Sequence, residues 1–358
     1  MKNNTQISEA SEKSPRVHII VPVYNPPEKL FRDCLSSIGR QLHKNFSCIL
    51  VDDGSQQEIA TLCDEATVRD SRFTVIHKKN EGAAFARRDG VLAALADGTE
   101  YIAFVDSDDT VDPRYISMML GALLKTQSDT CFCGMNIVRS GETTYSKWSP
   151  SESGTNKDKH SMLLSVLEHP HKCFGARFWV CAGIYRACLF DGVDWFFNKV
   201  KIGEDTRLAW QLMLNTRKAF FLCNGLYNHI RHTASAMHTT DSIGLRDFIT
   251  ENLYAMAEFA KQRASDFDFT RHCAIREIQE YYALLGIDGG ANGRLSRNET
   301  RKCVHHIRHA MKTPGAVSWL PRRQRVGLYV LRFTGLWTYR LYQIIAKWHK
   351  TGVYDYEK

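Results

Sequence analysis

Four short apolar runs, each closed by polar or acidic residues, constrain this chain more than any other feature. Val17–Val23 (VHIIVPV) stops at Tyr24-Asn25-Pro26-Pro27, and residues 46–51 (FSCILV) stop at Asp52-Asp53-Gly54-Ser55. Phe73–His77 leads into Asn80-Glu81-Gly82, and residues 101–105 (YIAFV) end at Asp106-Ser107-Asp108-Asp109. Runs this short and this continuously hydrophobic read as strands buried on both faces. Helices are expected between them, at 28–42, at Ala83–Ala96 and after Pro113. Strands alternating with helices predict an α/β fold with a mostly parallel central sheet flanked by helices. Such sheets bind ligands beyond the carboxyl ends of their strands, where the polar tetrads fall.

Farther along, strands are expected at 130–138, 178–185 and 218–223, with a polar loop at 140–160. Gly203-Glu204-Asp205 opens a helix to about residue 215, and the chain is mostly helical after about residue 242. The 358 residues divide on this reading into a flexible leader (1–15), an α/β domain (16–240) and a helical C-terminal region (241–358). The net charge of +8 is unevenly placed: residues 301–358 hold 12 Lys/Arg against 2 Asp/Glu, and the first 300 hold 35 against 37. The 11 cysteines include no Cys-x-x-Cys pair, and Cys131 and Cys133 lack a second pair to complete a zinc site. The polar N-terminus has no secretory apolar stretch, and no run of about 18 apolar residues predicts a membrane-spanning helix. A reduced, cytoplasmic protein is expected.

Three carboxylates within Asp106-Ser107-Asp108-Asp109 repel one another unless a cation joins them. A Mg²⁺ or Mn²⁺ ion that shares its shell with phosphate oxygens resolves the conflict; an acidic turn with capping aspartates is the alternative. Asp52-Asp53-Gly54-Ser55 is either ordinary turn chemistry or a nucleoside contact. On the helix after Gly82, Phe85, Leu92 and Ala96 share one stripe, and Arg87 lies roughly 160° from it, so Arg87 is expected off the packing face, suited to a diphosphate. Glu204 and Asp205 either complement a helix N-terminus or supply a general base.

Taken in order, Pro22-Val23-Tyr24-Asn25, Val51-Asp52-Asp53-Gly54-Ser55, Asn80-Glu81-Gly82, Ala86-Arg87, Asp106-Ser107-Asp108-Asp109 and Gly203-Glu204-Asp205 resemble the motifs of an inverting family 2 glycosyltransferase. The likeness covers about residues 16–238, is strongest to bacterial builders of capsule, lipopolysaccharide or exopolysaccharide, and implies a GT-A fold. It implies that Pro22, Tyr24, Asn25, Asp52, Asp53, Asn80 and Gly82 surround the nucleoside and that Arg87 faces the donor phosphates. It places Asp106, Ser107 and Asp108 in the DXD stretch, with Asp108 toward a divalent metal and Asp106 toward the ribose or the metal. Asp205, beside Glu204, takes the position of the catalytic base. The donor is then a nucleotide-sugar, most simply a UDP-sugar, and the acceptor a saccharide or lipid-linked saccharide. Arg88 departs from the Asn common after the Ala-Arg pair, and the Gln-x-x-Arg-Trp motif of processive relatives is absent, which implies single-sugar transfer. Tyr227-Asn228-His229-Ile230-Arg231-His232 lies where relatives have aromatic and basic residues closing the donor site, which implies His229, Arg231 or His232 as phosphate or acceptor contacts; a packed or solvent-facing histidine is the alternative.

In a helix from about residue 322, Arg322, Arg325, Arg332, Arg340, Lys347 and Lys350 fall within roughly 80°, and Leu331, Phe333, Trp337, Leu341, Tyr342, Ile344, Ile345 and Trp348 surround them. A basic amphipathic tail at about 318–350 suits an anionic membrane surface and places the protein on the inner face of the cell membrane; packing on the catalytic domain is the alternative. No nucleic-acid partner is expected. A nucleotidyltransferase and a non-catalytic membrane-binding protein are the rival functions.

Overall fold

The computed structural model describes residues 14–139, 142–145, 156–158, 180–196, 198–199, 203–232, 242–263, 269–286, 296–318, 320 and 322–334. The chain divides into two compact units, the first ending at His232.

In the first unit, β1 (Val17–Val23), α1 (Glu28–Gly39), β2 (Phe46–Asp52), α2 (Gln57–Arg69), β3 (Phe73–His77), α3 (Ala83–Ala96) and β4 (Tyr101–Phe104) alternate strand with helix, as expected for all but α2. They are followed by β5 (Thr110–Val111), α4 (Tyr115–Thr126), β6 (Thr130–Arg139), β7 (Glu142–Tyr145), β8 (Asn156–Asp158), β9 (Gly183–Arg186), α5 (Glu204–Asn215) and β10 (Lys218–Arg231). The sheet order is β3-β2-β1-β4-β9-β6-β10-β5. The four leading strands are parallel, with Val23 opposite Asp52 and Asp52 opposite His77. β9 then pairs antiparallel with both β4 and β6, so parallel pairing characterises the first half of the sheet and mixed pairing the second.

β1 is buried at every position but Pro22, and Leu50, Val51, Ile102 and Phe104 are buried beside it. α3 crosses the sheet so closely that a Cβ on Gly90 would lie 2.4 Å from Ile20 Cγ2 and 3.2 Å from Val51 Cγ2. Gly90→Ala gains helix propensity but overpacks the core, and a net loss of about 1–2 kcal/mol is expected, read as a lowered melting temperature.

Several elements differ from the sequence reading. α2 was not anticipated, because only Ile59, Leu62 and Cys63 mark its buried side. The strand expected from 178 begins at Gly183, after a 3-10 turn at Val180–Ala182. The polar segment 140–160 contributes β7 and β8. The strand expected to end at 223 continues to Arg231, through irregular pairing with β6 around Gly225. On α3 the expected stripe is overturned: Leu92 is 53% exposed, and Arg87 is buried beside Ala86, Gly90, Val91 and Ala94. The helix turns its smallest residue to the sheet, and Arg87 tolerates burial because carboxylates meet it.

The second unit is helical: α6 (Ser242–Lys261), α7 (Phe269–Gly286), α8 (Arg297–Ala310) and α9 (Arg322–Thr334). Its core joins Ile278, Tyr281, Cys303, Ile307, Leu328 and Leu331. Ser296 and Glu299 form a capping box that starts α8. The buried Glu277 carboxylate accepts bonds from Tyr254 (2.6 Å) and His306 Nδ1 (3.0 Å). Leu331, expected on the open face of the amphipathic tail, packs in this core. The rest of the tail, from residue 335 and including Trp337, Arg340, Lys347, Trp348 and Lys350, lies outside the described residues, as does the leader up to residue 13. No described helix is long and apolar enough to cross a membrane.

Candidate active site

The parallel register brings the ends of β1, β2 and β4 to one edge of the first unit. At the end of β1, Asn25 takes a left-handed conformation (φ 45°) and its Oδ1 accepts from the Gln56 N–H at 2.7 Å. This leaves Tyr24 57% exposed with its ring free for stacking, next to the partly buried Pro22. The Asp53 carboxylate accepts from the Glu81 and Gly82 N–H groups at 2.9 and 2.8 Å, and so pins the loop that starts α3. Asp52 accepts from the Ser55 N–H at 2.9 Å and meets His77 Nδ1 at 2.7 Å. Its bonds to Asp52 and Asp64 raise the His77 pKa. His77 escaped the sequence reading because it is the last residue of a strand with no motif around it. Asn80 is exposed at this edge.

The acidic tetrad after β4 does not gather round one point. Asp106 Oδ1 accepts from Arg87 Nη2 at 2.9 Å, and Asp108 Oδ2 lies 2.9 Å from His232 Nε2. Asp109 is buried and accepts from the Ile230 N–H and the Tyr227 hydroxyl, both at 2.8 Å, with His229 Nδ1 at 3.3 Å. Burial pushes the Asp109 carboxyl up to about 6, against the pull of His229. Burial works against charge on His229, yet its bond to Asp109 holds its pKa above the ordinary value. Each of the three carboxylates thus meets partners of its own, while Asp106 and Asp108 still add to the rise at Asp109. Ser107 is largely buried between these aspartates. The Tyr227 hydroxyl also receives the Asp106 N–H at 3.1 Å; Tyr227 opens the aromatic and basic stretch expected near the donor, but its own role was not read from the sequence, because the strand that places it was expected to end at 223.

Gly203, in a left-handed conformation (φ 79°), turns the chain into α5 and sets Glu204 and Asp205 in its first turn. Arg87 Nη1 donates to Glu204 Oε1 at 2.9 Å while Nη2 holds Asp106, so one guanidinium joins the end of β4 to the start of α5. Burial opposes its charge, but Asp106, Glu204 and Asp205 together raise its pKa. Both terminal nitrogens of Arg87 therefore face carboxylates. Arg88 bonds Asp89 and lies 4.5 Å over the Phe85 ring. Among the described residues Asp205 accepts from Thr206, through its N–H at 2.7 Å and its hydroxyl at 3.4 Å. Burial and the neighbouring Glu204 push its carboxyl up to about 7, and Arg87 limits the rise. A carboxylate poised near neutrality suits proton abstraction. Arg231 is exposed at the end of β10, next to His232.

Among the described residues no three His, Cys, Asp or Glu side chains stand together as a complete metal site. Asp108 and His232 make a pair open to one: Asp108 is about one-third exposed, and His232 Nδ1 is buried without a partner. Two protein ligands suit Mg²⁺ or Mn²⁺ when phosphate oxygens fill the rest of the shell.

Residues 18–181 match the family described as glycosyl transferase family 2. The uncharacterized glycosyltransferase EpsJ of Bacillus subtilis is 31% identical over 216 residues, 60% of this chain and 60% of that one. The glycosyltransferase GlyA of Streptococcus pneumoniae is 28% identical over 214 residues, 59% of this chain and 30% of that one. The chain thus spans between about a third and three-fifths of these relatives' lengths. Among solved structures, S. aureus TarS 1-349 in complex with UDP-GlcNAc shares the fold with a TM-score of 0.65 at 18% identity, covering 95% of this chain and 93% of that one.

Proposed function

We propose, from the match of residues 18–181 to glycosyl transferase family 2, that the protein moves one sugar from a nucleotide-sugar to a saccharide hydroxyl with inversion at the anomeric carbon. One observation carries the reading: Arg87 joins Asp106 at the end of β4 to Glu204 on α5. That bond brings the candidate base Asp205 to the edge where a donor would lie.

In this reading Tyr24 stacks on the nucleobase and Asp52 and Asp53 shape the nucleoside pocket through the loops they hold. Asp108, with His232, would hold a divalent cation, whose chemistry is to neutralise charge gathering on the leaving diphosphate. Asp205 takes the proton of the acceptor hydroxyl. The acceptor oxygen bonds to the anomeric carbon as the bond to the diphosphate oxygen breaks, and the electron pair leaves with the nucleoside diphosphate. One displacement inverts the centre. UDP-GlcNAc in the TarS complex makes it the first donor to try. The acceptor is proposed to be a saccharide or lipid-linked saccharide used in cell-surface polysaccharide synthesis, met at the inner face of the cell membrane.

The test is thermal shift with UDP-GlcNAc and other nucleotide-sugars, with Mn²⁺ or Mg²⁺. At about 100 times Kd a ligand adds about 2.7 kcal/mol, which for a domain this size raises Tm by roughly 5–10 °C. Failure of every nucleotide-sugar to shift Tm overturns the reading.

A further inference from the structure

The basic excess has a definite place in the second unit. From residue 297 to 334 the chain holds nine Lys/Arg and one acidic residue, Glu299, whose carboxylate is occupied by the Ser296 N–H in the capping box. α8 buries Thr300, Cys303, Ile307 and Ala310 and exposes Arg301, Lys302, His305, Arg308 and His309, with Lys312 exposed in the turn beyond. At 100° per residue Arg301, His305 and Arg308 fall within roughly 60° of one another. No carboxylate pairs with Arg301, His309 or Lys312 among the described residues. A recess of about 350 Å³, open to solvent, lies against Thr300, Arg301, Val304, His305 and Arg308 on one face of α8, so its two guanidiniums border space that an anionic headgroup can enter.

α9 completes the surface. Arg308 Nη2 donates to the Leu331 carbonyl at 3.2 Å, which fixes α8 against α9. With Leu328 and Leu331 turned into the core, α9 exposes Arg322, Arg332, Val326 (46%) and Tyr329 (50%). An aliphatic and an aromatic side chain among arginines match the boundary between lipid headgroups and acyl chains. A soluble polyanion offers those two side chains nothing.

We propose that the second unit docks on an anionic phospholipid surface through the basic face of α8 and the Arg322-Val326-Tyr329-Arg332 face of α9. This deepens the membrane part of the proposed function by assigning it a surface within the folded unit, and it does not depend on the transfer chemistry. The first 300 residues carry 35 basic and 37 acidic side chains, so attraction to such a surface is local to this unit.

The test is flotation of the full chain with vesicles of about 30 mol % phosphatidylglycerol in phosphatidylcholine, at low salt and at about 0.5 M salt, where screening shortens the reach of exposed charges to a few ångströms. Wild type is expected to float with anionic vesicles at low salt, to release at high salt, and to ignore pure phosphatidylcholine. Each basic group near such a surface strengthens binding roughly 5-fold, so Arg301→Glu/Lys302→Glu/Lys312→Glu should weaken it at least about 100-fold. Val326→Ser/Tyr329→Ser, which leaves every charge in place, should weaken it several-fold. The triple variant should keep the wild-type melting temperature, and both variants should keep any shift with UDP-GlcNAc, which reads the first unit alone. Wild type absent from anionic vesicles, equal flotation on neutral ones, retention of the triple variant at wild-type levels, or binding of single-stranded DNA in place of vesicles each overturns the proposal.

Discussion

Asp205→Asn is expected to lower sugar transfer about 10²–10⁴-fold, the usual contribution of a positioned general base, with the donor's Kd unchanged. The asparagine Oδ1 can still accept the Thr206 N–H that holds the side chain at 2.7 Å, so the loss isolates the proton transfer. The pH profile carries the same information. Asp205 is pushed up to about 7 by burial and Glu204, so its basic form is scarce below neutrality. Wild-type kcat should climb tenfold per pH unit below about 7 and level off above it, whereas the residual rate of Asp205→Asn should lack that limb. Stability should move the other way. A carboxyl whose folded pKa exceeds its unfolded value binds its proton more tightly in the native state, so stability is lost as pH rises from about 4 through 7. Asp205→Asn, uncharged throughout, should therefore melt above wild type at pH 8. A wild-type acid limb retained in Asp205→Asn assigns the base elsewhere.

Arg87→Met is the second large effect. The methionine fills similar space but leaves Asp106 and Glu204 without their shared donor. Removing one partner of a buried ion pair costs about 3–5 kcal/mol; because Asp106 is about one-third exposed, the lower end, about 3 kcal/mol, is expected in a denaturant titration. Arg87 also holds the Asp205 pKa down, so any residual activity should show its acid limb displaced to higher pH. Arg87→Lys keeps a charge but only one point of contact where the guanidinium spans two, and should recover stability more than activity. If Arg87→Met melts like wild type, the guanidinium is not the join between β4 and α5.

The four strands through β4, with α1 and α3 though not α2, were legible because they are written locally. Apolar runs of five to seven residues, a helix begun after Gly82 and acidic turns at strand ends each need only neighbouring residues to be recognised. The candidate site residues were legible in the same way, as motifs at strand ends. Their partners were not. Arg87 was expected to leave the packing face, because a helical stripe counts apolar positions and has no term for a cation drawn inward by carboxylates.

By itself, then, the chain's sequence determined an α/β unit with its acidic groups at one edge, followed by a basic helical unit, since hydrophobic periodicity, turn chemistry and charge are properties of short segments. Only the tertiary structure decided who meets whom. Arg87 with Glu204 spans 117 residues, Asp109 with Ile230 spans 121, and Asp108 with His232 spans 124. Such pairings leave no periodic trace, because they arise when β10 runs through to Arg231 beside β5 and α5 starts against α3, and the energy of a charge depends on which partners that packing delivers.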